Sequence, residues 1–209
     1  MIDFEKGRIS NISKLIINSF NKLPADTNEK SQGKYFRYRK FSRLLMSGEK
    51  FFSIKDTNFY QKRKVNRYAG GKIRKFKPID SKVLNDFAEI FKKNFLKKIT
   101  GKKIEIGFHQ LRIKCGKNFV GYPVPEGWHK DGFDYVILLN IGSKNIKGGV
   151  TRIKNEIASD HDVFSWFLNK GEYILLNDRK FFHYTDPINV MDNKLEGFRD
   201  TLVVTVRSI

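Results

Sequence analysis

Four segments in the second half of the chain restrict the fold more than anything else in the sequence. "KIEIGFHQLRIKC" (103–115) and "RDTLVVTVRSI" (199–209) alternate, whereas "FDYVILLNI" (133–141) and "GEYILLND" (171–178) are almost continuously apolar. Alternation marks a strand with two different faces, and a continuous short apolar run marks a strand buried on both. "GGVTRIKN" (148–155) adds another strand after a Gly148-Gly149 turn. No helical period separates these runs. About six strands joined by short turns describe an antiparallel sandwich or barrel.

The first hundred residues read differently. "SNISKLIINSFNKL" offers Ser10 and Asn11 as helix caps, then Leu15, Ile16 and Phe20 at helical spacing before Pro24. In "SKVLNDFAEIFKKNFLKKIT", Val83, Leu84, Phe87, Ile90, Phe91 and Phe95 form one apolar stripe with lysines opposite and at the end. "YFRYRKFSRLLMSG" fits either a short helix or a strand and turn. The expected fold class is α+β, with a β core flanked by N-terminal helices. The expected organisation is a single domain over 1–209. A mainly helical, basic part (1–100) would pack on a strand-built part (101–209).

Charge is as uneven as pattern. Residues 1–100 carry 25 Lys+Arg against 9 Asp+Glu, and residues 101–209 carry 16 against 13. Clusters such as "QKRKVNR" and "KIRKFK" suit a nucleic acid. An A/T-rich genome, which favours Lys, Asn, Ile and Phe codons, gives the same composition and is the preferred reading. Cys115 is the sole cysteine, so no disulfide framework forms within the chain. No apolar run approaches membrane length, and the N-terminus has no signal-peptide pattern. A cytoplasmic location is expected, with no membrane partner.

The chemistry concentrates in "VPEGWHKDGFDYV" (124–136). Residues i and i+2 of a strand share a face, so His129 and Asp131 can enter one cavity together. His-x-Asp alone arises often by chance. Here Pro125, Gly127 and Gly132 bracket it with turn chemistry, and a buried strand follows at once. His183, just after the buried "GEYILLND" run, is the second histidine that completes a two-His-one-carboxylate set. His109 reads as a satisfied histidine, and His161-Asp162 lacks the spacing. Such sets hold Fe(II) with three open positions, and a 2-oxoglutarate co-substrate needs a buried arginine for its far carboxylate. Arg199 and Arg207 share a face of the last strand. Arg199 is preferred, with Thr201 adding a hydroxyl.

Beyond these, Gln110 and Arg112 share one face of the 103–115 strand and are candidate substrate contacts. Glu126 is a candidate partner for a substrate amine, although a solvated loop acid is the commoner role. Trp128 and Tyr135 read as core, and Cys115 has nothing nearby to activate it.

The stretches "QLRIKCGKNFVGYPVPEGWHKDGFDYV", "NIKGGVTRI", "YILLNDRKFFHYTDPI" and "GFRDTLVVTV" together resemble the bacterial 2-oxoglutarate/Fe(II) dioxygenase family that contains L-isoleucine 4-hydroxylase. The "PEG-x-H-x-DG-x-D" run is the specific part, and the resemblance spans roughly residues 104–207. It implies a double-stranded β-helix (jelly-roll, cupin-like) core. It implies Fe(II), 2-oxoglutarate and O₂, and hydroxylation of a small molecule, with free aliphatic amino acids the characterised substrates. It carries the iron ligands onto His129, Asp131 and His183, and the 2-oxoglutarate arginine onto Arg199. The rival readings are a nucleic-acid-directed oxygenase and a cupin-like binding protein without catalysis.

Overall fold

The computed structural model describes residues 3–27, 30–61, 63, 70–99 and 103–209. In chain order its elements are β1 (Phe4–Arg8), α1 (Lys14–Ser19), β2 (Lys30–Ser31), β3 (Lys34–Tyr35), β4 (Arg37–Ser47), β5 (Lys50–Ile54), β6 (Asn58–Tyr60), β7 (Ile73–Lys75) and α2 (Ser81–Asn94). The second half follows as β8 (Lys103–Cys115), β9 (Tyr135–Lys144), β10 (Ile146–Gly148), β11 (Thr151–Lys154), β12 (Phe164–Trp166), β13 (Glu172–Asn177), β14 (Phe182–Thr185), β15 (Ile188–Val190) and β16 (Gly197–Ser208). The "QKRKVNR" cluster lies almost wholly outside the described residues.

Seven strands form one antiparallel sheet in the order β1-β13-β9-β16-β8-β4-β5. Opposite it lie the shorter ladders β12-β11-β14 and β10-β15. Isolated bridges extend them, His129 pairing with His183 and Gly121 with Ile188. This two-layer antiparallel arrangement is consistent with the jelly-roll core that the resemblance implied.

Alternation assigns the two faces of the large sheet. Ile104, Ile106 and Phe108 of β8, with Leu202, Val204 and Val206 of β16, pack on one side against Ile16, Phe20, Phe87, Phe91 and Phe95. Each of these phenylalanines is almost fully buried, worth about 1.5–3 kcal/mol of transfer free energy apiece. The helices therefore cover the outer face. The inner face, with His109, Leu111, Ile113, Arg199, Thr201 and Val203, lines a cavity between the layers.

Two expectations for the first hundred residues need correction. This half is not mainly helical: among its described residues the α-helices are α1 and α2 alone. "YFRYRKFSRLLMSG" forms the eleven-residue β4, which pairs with β8 along its whole length and turns into β5 at Gly48. Its buried residues alternate from Arg37 to Phe41, and that period fits a strand with two different faces. The cap of α1 is Ser13, whose hydroxyl accepts the Ile16 N–H, not Ser10 or Asn11. Helix α2 forms as expected, capped by Asp80 and carrying Lys92 and Lys93 in its last turn.

Candidate active site

One backbone rung builds the centre. The His129 N–H donates to the His183 carbonyl at 3.2 Å, and the His183 N–H donates back at 3.0 Å. A mutual pair of this kind sets two side chains on the same side of the ladder. The imidazole centroids are 4.2 Å apart. Gly127 (φ 77°) and Gly132 (φ 83°) make the left-handed turns that bring the segment in and out. Asp131 then reaches the same point. Its Oδ1 lies 3.8 Å from His129 Nε2, and its Oδ2 lies 3.4 Å from His183 Nε2. One ligand atom from each residue lies within 4.8 Å of the other two, close enough for a single ion.

The surroundings orient His129 and Asp131 by hydrogen bonds, whereas His183 Nδ1 has none among the described residues. His129 Nδ1–H donates to the Gly127 carbonyl at 2.9 Å, which leaves Nε2 as the lone-pair nitrogen. Behind His183 stands Asp178, whose Oδ1 is 3.7 Å from His183 Nδ1. The same carboxylate accepts backbone N–H groups of Asp131, Gly132 and Phe133 at 2.9, 2.7 and 2.9 Å. Gln61 Nε2 donates to Asp131 Oδ1 at 3.0 Å, and Arg74 donates to Gln61 Oε1 at 2.8 Å.

Electrostatics favour cation capture. Burial by itself would raise the Asp131 carboxyl, but the His183 hydrogen bond and the His129 and His183 charges hold it below the usual carboxylate range. Burial lowers His183, yet Asp131 and Asp178 outweigh it and raise its pKa. A metal ion replaces the proton that such a histidine otherwise binds. Two imidazole nitrogens and one carboxylate on one side suit Fe(II). Burial and the Arg39 charge push His109 well below its ordinary value, so its ring is neutral. Its Nδ1 accepts from Arg39 at 2.8 Å. His109 shares the cavity but stays outside the ligand cluster, and it is only half satisfied: Arg39 meets its Nδ1, whereas its buried Nε2 has no hydrogen-bond partner among the described residues.

Arg199 is only 2% exposed. It donates to the Gly149 carbonyl and weakly to Thr151 Oγ1, and its Nε has no partner. No carboxylate among the described residues lies within ion-pair distance of it. Burial lowers its pKa to about 10, which leaves it cationic at neutral pH. A buried cation without a counter-ion is costly, so the site calls for an anionic ligand. Thr151 faces Thr185 across the β11·β14 ladder, and Thr185 is two residues past His183. The guanidinium therefore stands about one side-chain repeat, roughly 7 Å, along from the cluster. That separation and that charge fit 2-oxoglutarate, chelating at one end and anionic at the other.

The expected site residues divide cleanly. His129, Asp131, His183, Arg199, Thr201 and Glu126 all line one cavity of about 110 Å³. Arg207 is exposed and lies outside it. Gln110 and Arg112 are corrected, because they lie on the outer face of β8. Gln110 donates to Ser19 at 2.6 Å, and Arg112 pairs with Asp200 at 2.6 and 2.7 Å. That pair also removes Asp200 as a partner for Arg199. Sequence reasoning missed Asp178, Gln61, Arg39 and Arg74. For Asp178 a signal existed, an acid at the end of a buried strand five residues before His183.

Comparison with known proteins agrees with this geometry. Residues 17–205 match the 2OG-Fe dioxygenase family model. L-isoleucine-4-hydroxylase of Bacillus thuringiensis is 28% identical over 187 residues, covering 81% of this chain and 74% of that protein. The crystal structure of a BsmA homologue from Methylobium petroleophilum PM1 superposes with a TM-score of 0.75 at 28% identity, over 93% of this chain and 80% of that one. IDO from Bacillus thuringiensis also superposes with a TM-score of 0.75, at 23% identity, over 97% and 90% of the two chains. Among the described residues no helix is long and apolar enough to cross a membrane. With nearly its whole length matched, the chain belongs to the 2OG-Fe dioxygenase family and is a dioxygenase dependent on Fe(II), 2-oxoglutarate and O₂.

Proposed function

We propose that the enzyme hydroxylates a small free amino acid. In this reading His129, Asp131 and His183 hold Fe(II), and Arg199 with Thr201 holds the far carboxylate of 2-oxoglutarate. One observation carries it: three ligand atoms within 4.8 Å of one another, one strand repeat from a buried cation that lacks a carboxylate. The relative named L-isoleucine-4-hydroxylase makes aliphatic amino acids the first class to test.

The bound iron and co-substrate supply the oxidation, in which a C–H bond, O₂ and 2-oxoglutarate give an alcohol, succinate and CO₂. The chain's own residues position and protect. Gly127 fixes the His129 tautomer, while Asp178 braces the 131–133 turn and faces His183. Gln61 steadies one oxygen of Asp131. Phe59, Leu138 and Val203 add apolar surface to the cavity, against which a substrate C–H bond would pack. Glu126 lines the same cavity and in this reading would meet a substrate ammonium.

The test is succinate release across a panel of the common amino acids, with wild type beside His183→Ala. Wild type is expected to release succinate with one amino acid and to convert it to a product heavier by one oxygen. His183→Ala is expected to do neither, and to lose the weak visible band formed when 2-oxoglutarate meets anaerobic Fe(II) enzyme. Product formation that survives His183→Ala removes this histidine from the iron site.

A further inference from the structure

On β8 and β16 the cavity holds two buried polar atoms that iron and 2-oxoglutarate binding do not explain. His109 is 5% exposed and Thr205 is 2% exposed, and both line the cavity. His109 Nε2 and Thr205 Oγ1 have no hydrogen-bond partner among the described residues. An arginine can only donate, so Arg39 fixes His109 Nδ1 as an acceptor and Nε2 as the nitrogen that carries hydrogen. Two rings hold the imidazole in place. It stacks on Phe41 at 4.4 Å and meets Phe59 edge-on at 4.8 Å. A buried donor without a partner costs stability, so its persistence in a native site calls for a reason.

The two atoms flank one gap. Gly107 sits opposite Thr205 in the β8·β16 ladder. A Cβ at Gly107 would stand 2.5 Å from Thr205 Oγ1 and 3.6 Å from His109 Nε2. Gly107 has none, so a carboxylate beside that point can accept from both. The co-substrate does not reach it. Arg199, Thr201, Val203 and Thr205 form the cavity-facing row of β16. Thr205 therefore lies about three side-chain repeats, roughly 20 Å of strand, from Arg199. 2-Oxoglutarate needs roughly one repeat to join Arg199 to the metal cluster. The iron ligands are nearer, since the Asp131 charge acts on the His109 ring.

We propose that the His109 Nε2–H and the Thr205 hydroxyl form a donor pair that receives the α-carboxylate of the substrate. The inference rests on the free-amino-acid reading and gives one end of that substrate its place. Nε2 offers no lone pair in this tautomer, so the pair accepts the carboxylate of an amino acid and turns away its ammonium.

The experiment compares Thr205→Val, which deletes the hydroxyl, with Thr205→Ser, which keeps it, on the amino acid that wild type turns over best in the succinate panel. Thr205→Val is expected to raise KM for that amino acid about tenfold, and Thr205→Ser to stay within about threefold of wild type. KM for 2-oxoglutarate should stay within about twofold in both. An unchanged amino-acid KM in Thr205→Val leaves the gap to a buried water only and overturns the inference. An equal rise for 2-oxoglutarate overturns it too. Should Thr205→Val fold poorly, NMR on wild type loaded with diamagnetic Zn(II) and 2-oxoglutarate reads the contact directly. The His109 ring N–H proton is expected to move downfield when the amino acid is added, and a proton that stays in place overturns the inference. Any of these failures leaves the amino-acid reading standing, whereas product from no amino acid at all overturns both.

Discussion

The cavity has two walls of different origin, and they teach different things. The wall carrying His129, Asp131, His183 and Arg199 comes from strands and turns of the second half. Its groups are fixed by backbone: a rung between the histidines, and three amides on Asp178. The wall carrying Arg37, Arg39, Phe59 and Arg74 comes from the first half, and its contacts are mostly between side chains. In the proposed function the reaction chemistry, which needs a fixed geometry, sits on the first wall, and the second wall is left to contact the substrate.

Variants can break or sharpen that division. The largest effect is expected on the first wall, where Arg199→Leu deletes the buried cation. Loss of one partner of a buried charge pair costs about 2–5 kcal/mol, so KM for 2-oxoglutarate should rise roughly thirtyfold or more. Steady-state kinetics with varied 2-oxoglutarate reads this. An unchanged KM would move the carboxylate site elsewhere.

Next comes Asp178→Asn, which keeps the shape and removes the charge behind His183. Groups that orient metal ligands typically govern affinity by about 10–100-fold, and anaerobic Fe(II) titration should show a weakening of that order. The same variant should barely move selectivity among amino acids if the two walls are independent.

A smaller effect is expected where the two halves are stitched together. Glu172 on β13 accepts the Asn169 N–H at 2.8 Å and pairs with Arg8 and Lys6 of β1. The Asn169 amide, then Arg8 and Lys6, overcome partial burial and lower its pKa from 4.5 to about 2. A carboxylate depressed on folding stabilises fully above its unfolded pKa. That contribution fades as pH falls from about 4.5 toward 2. Glu172→Gln should therefore cost roughly 1–2 kcal/mol at neutral pH and flatten this acid limb, read by denaturant unfolding at several pH values. Catalysis per folded molecule should not change.

The smallest effect is expected from Gln110→Ala. Its amide faces Ser19 outside the cavity, so KM values should stay within about twofold, whereas a larger change would put Gln110 back at the substrate.

Much of the first wall was legible in the sequence, and little of the second. His129 and Asp131 share a face by the simplest rule of strand geometry, and glycines at 127 and 132 mark the turns that aim them. The same rule separated Gln110 and Arg112 from His109, Leu111 and Ile113. It could not say which face met the cavity, because alternation is symmetric until the covering helices are placed. The apolar stripe of α2 held that information, since it needed an apolar face of the sheet to cover. Arg39 and Arg74 were hidden for another reason. In a half with 25 basic residues, nothing in the sequence distinguishes an inward arginine from a solvated one. Burial of Arg39 follows from its pairing with β8, a long-range contact that local pattern does not record.

The rung between His129 and His183 has a consequence for how the enzyme can be watched. Those two amides are shielded only while the paired segments stay closed, so their exchange with deuterated solvent times the opening of the metal centre itself. Slow exchange at both, lost together, would report the centre as one cooperative unit. That clock runs without oxygen, substrate or turnover.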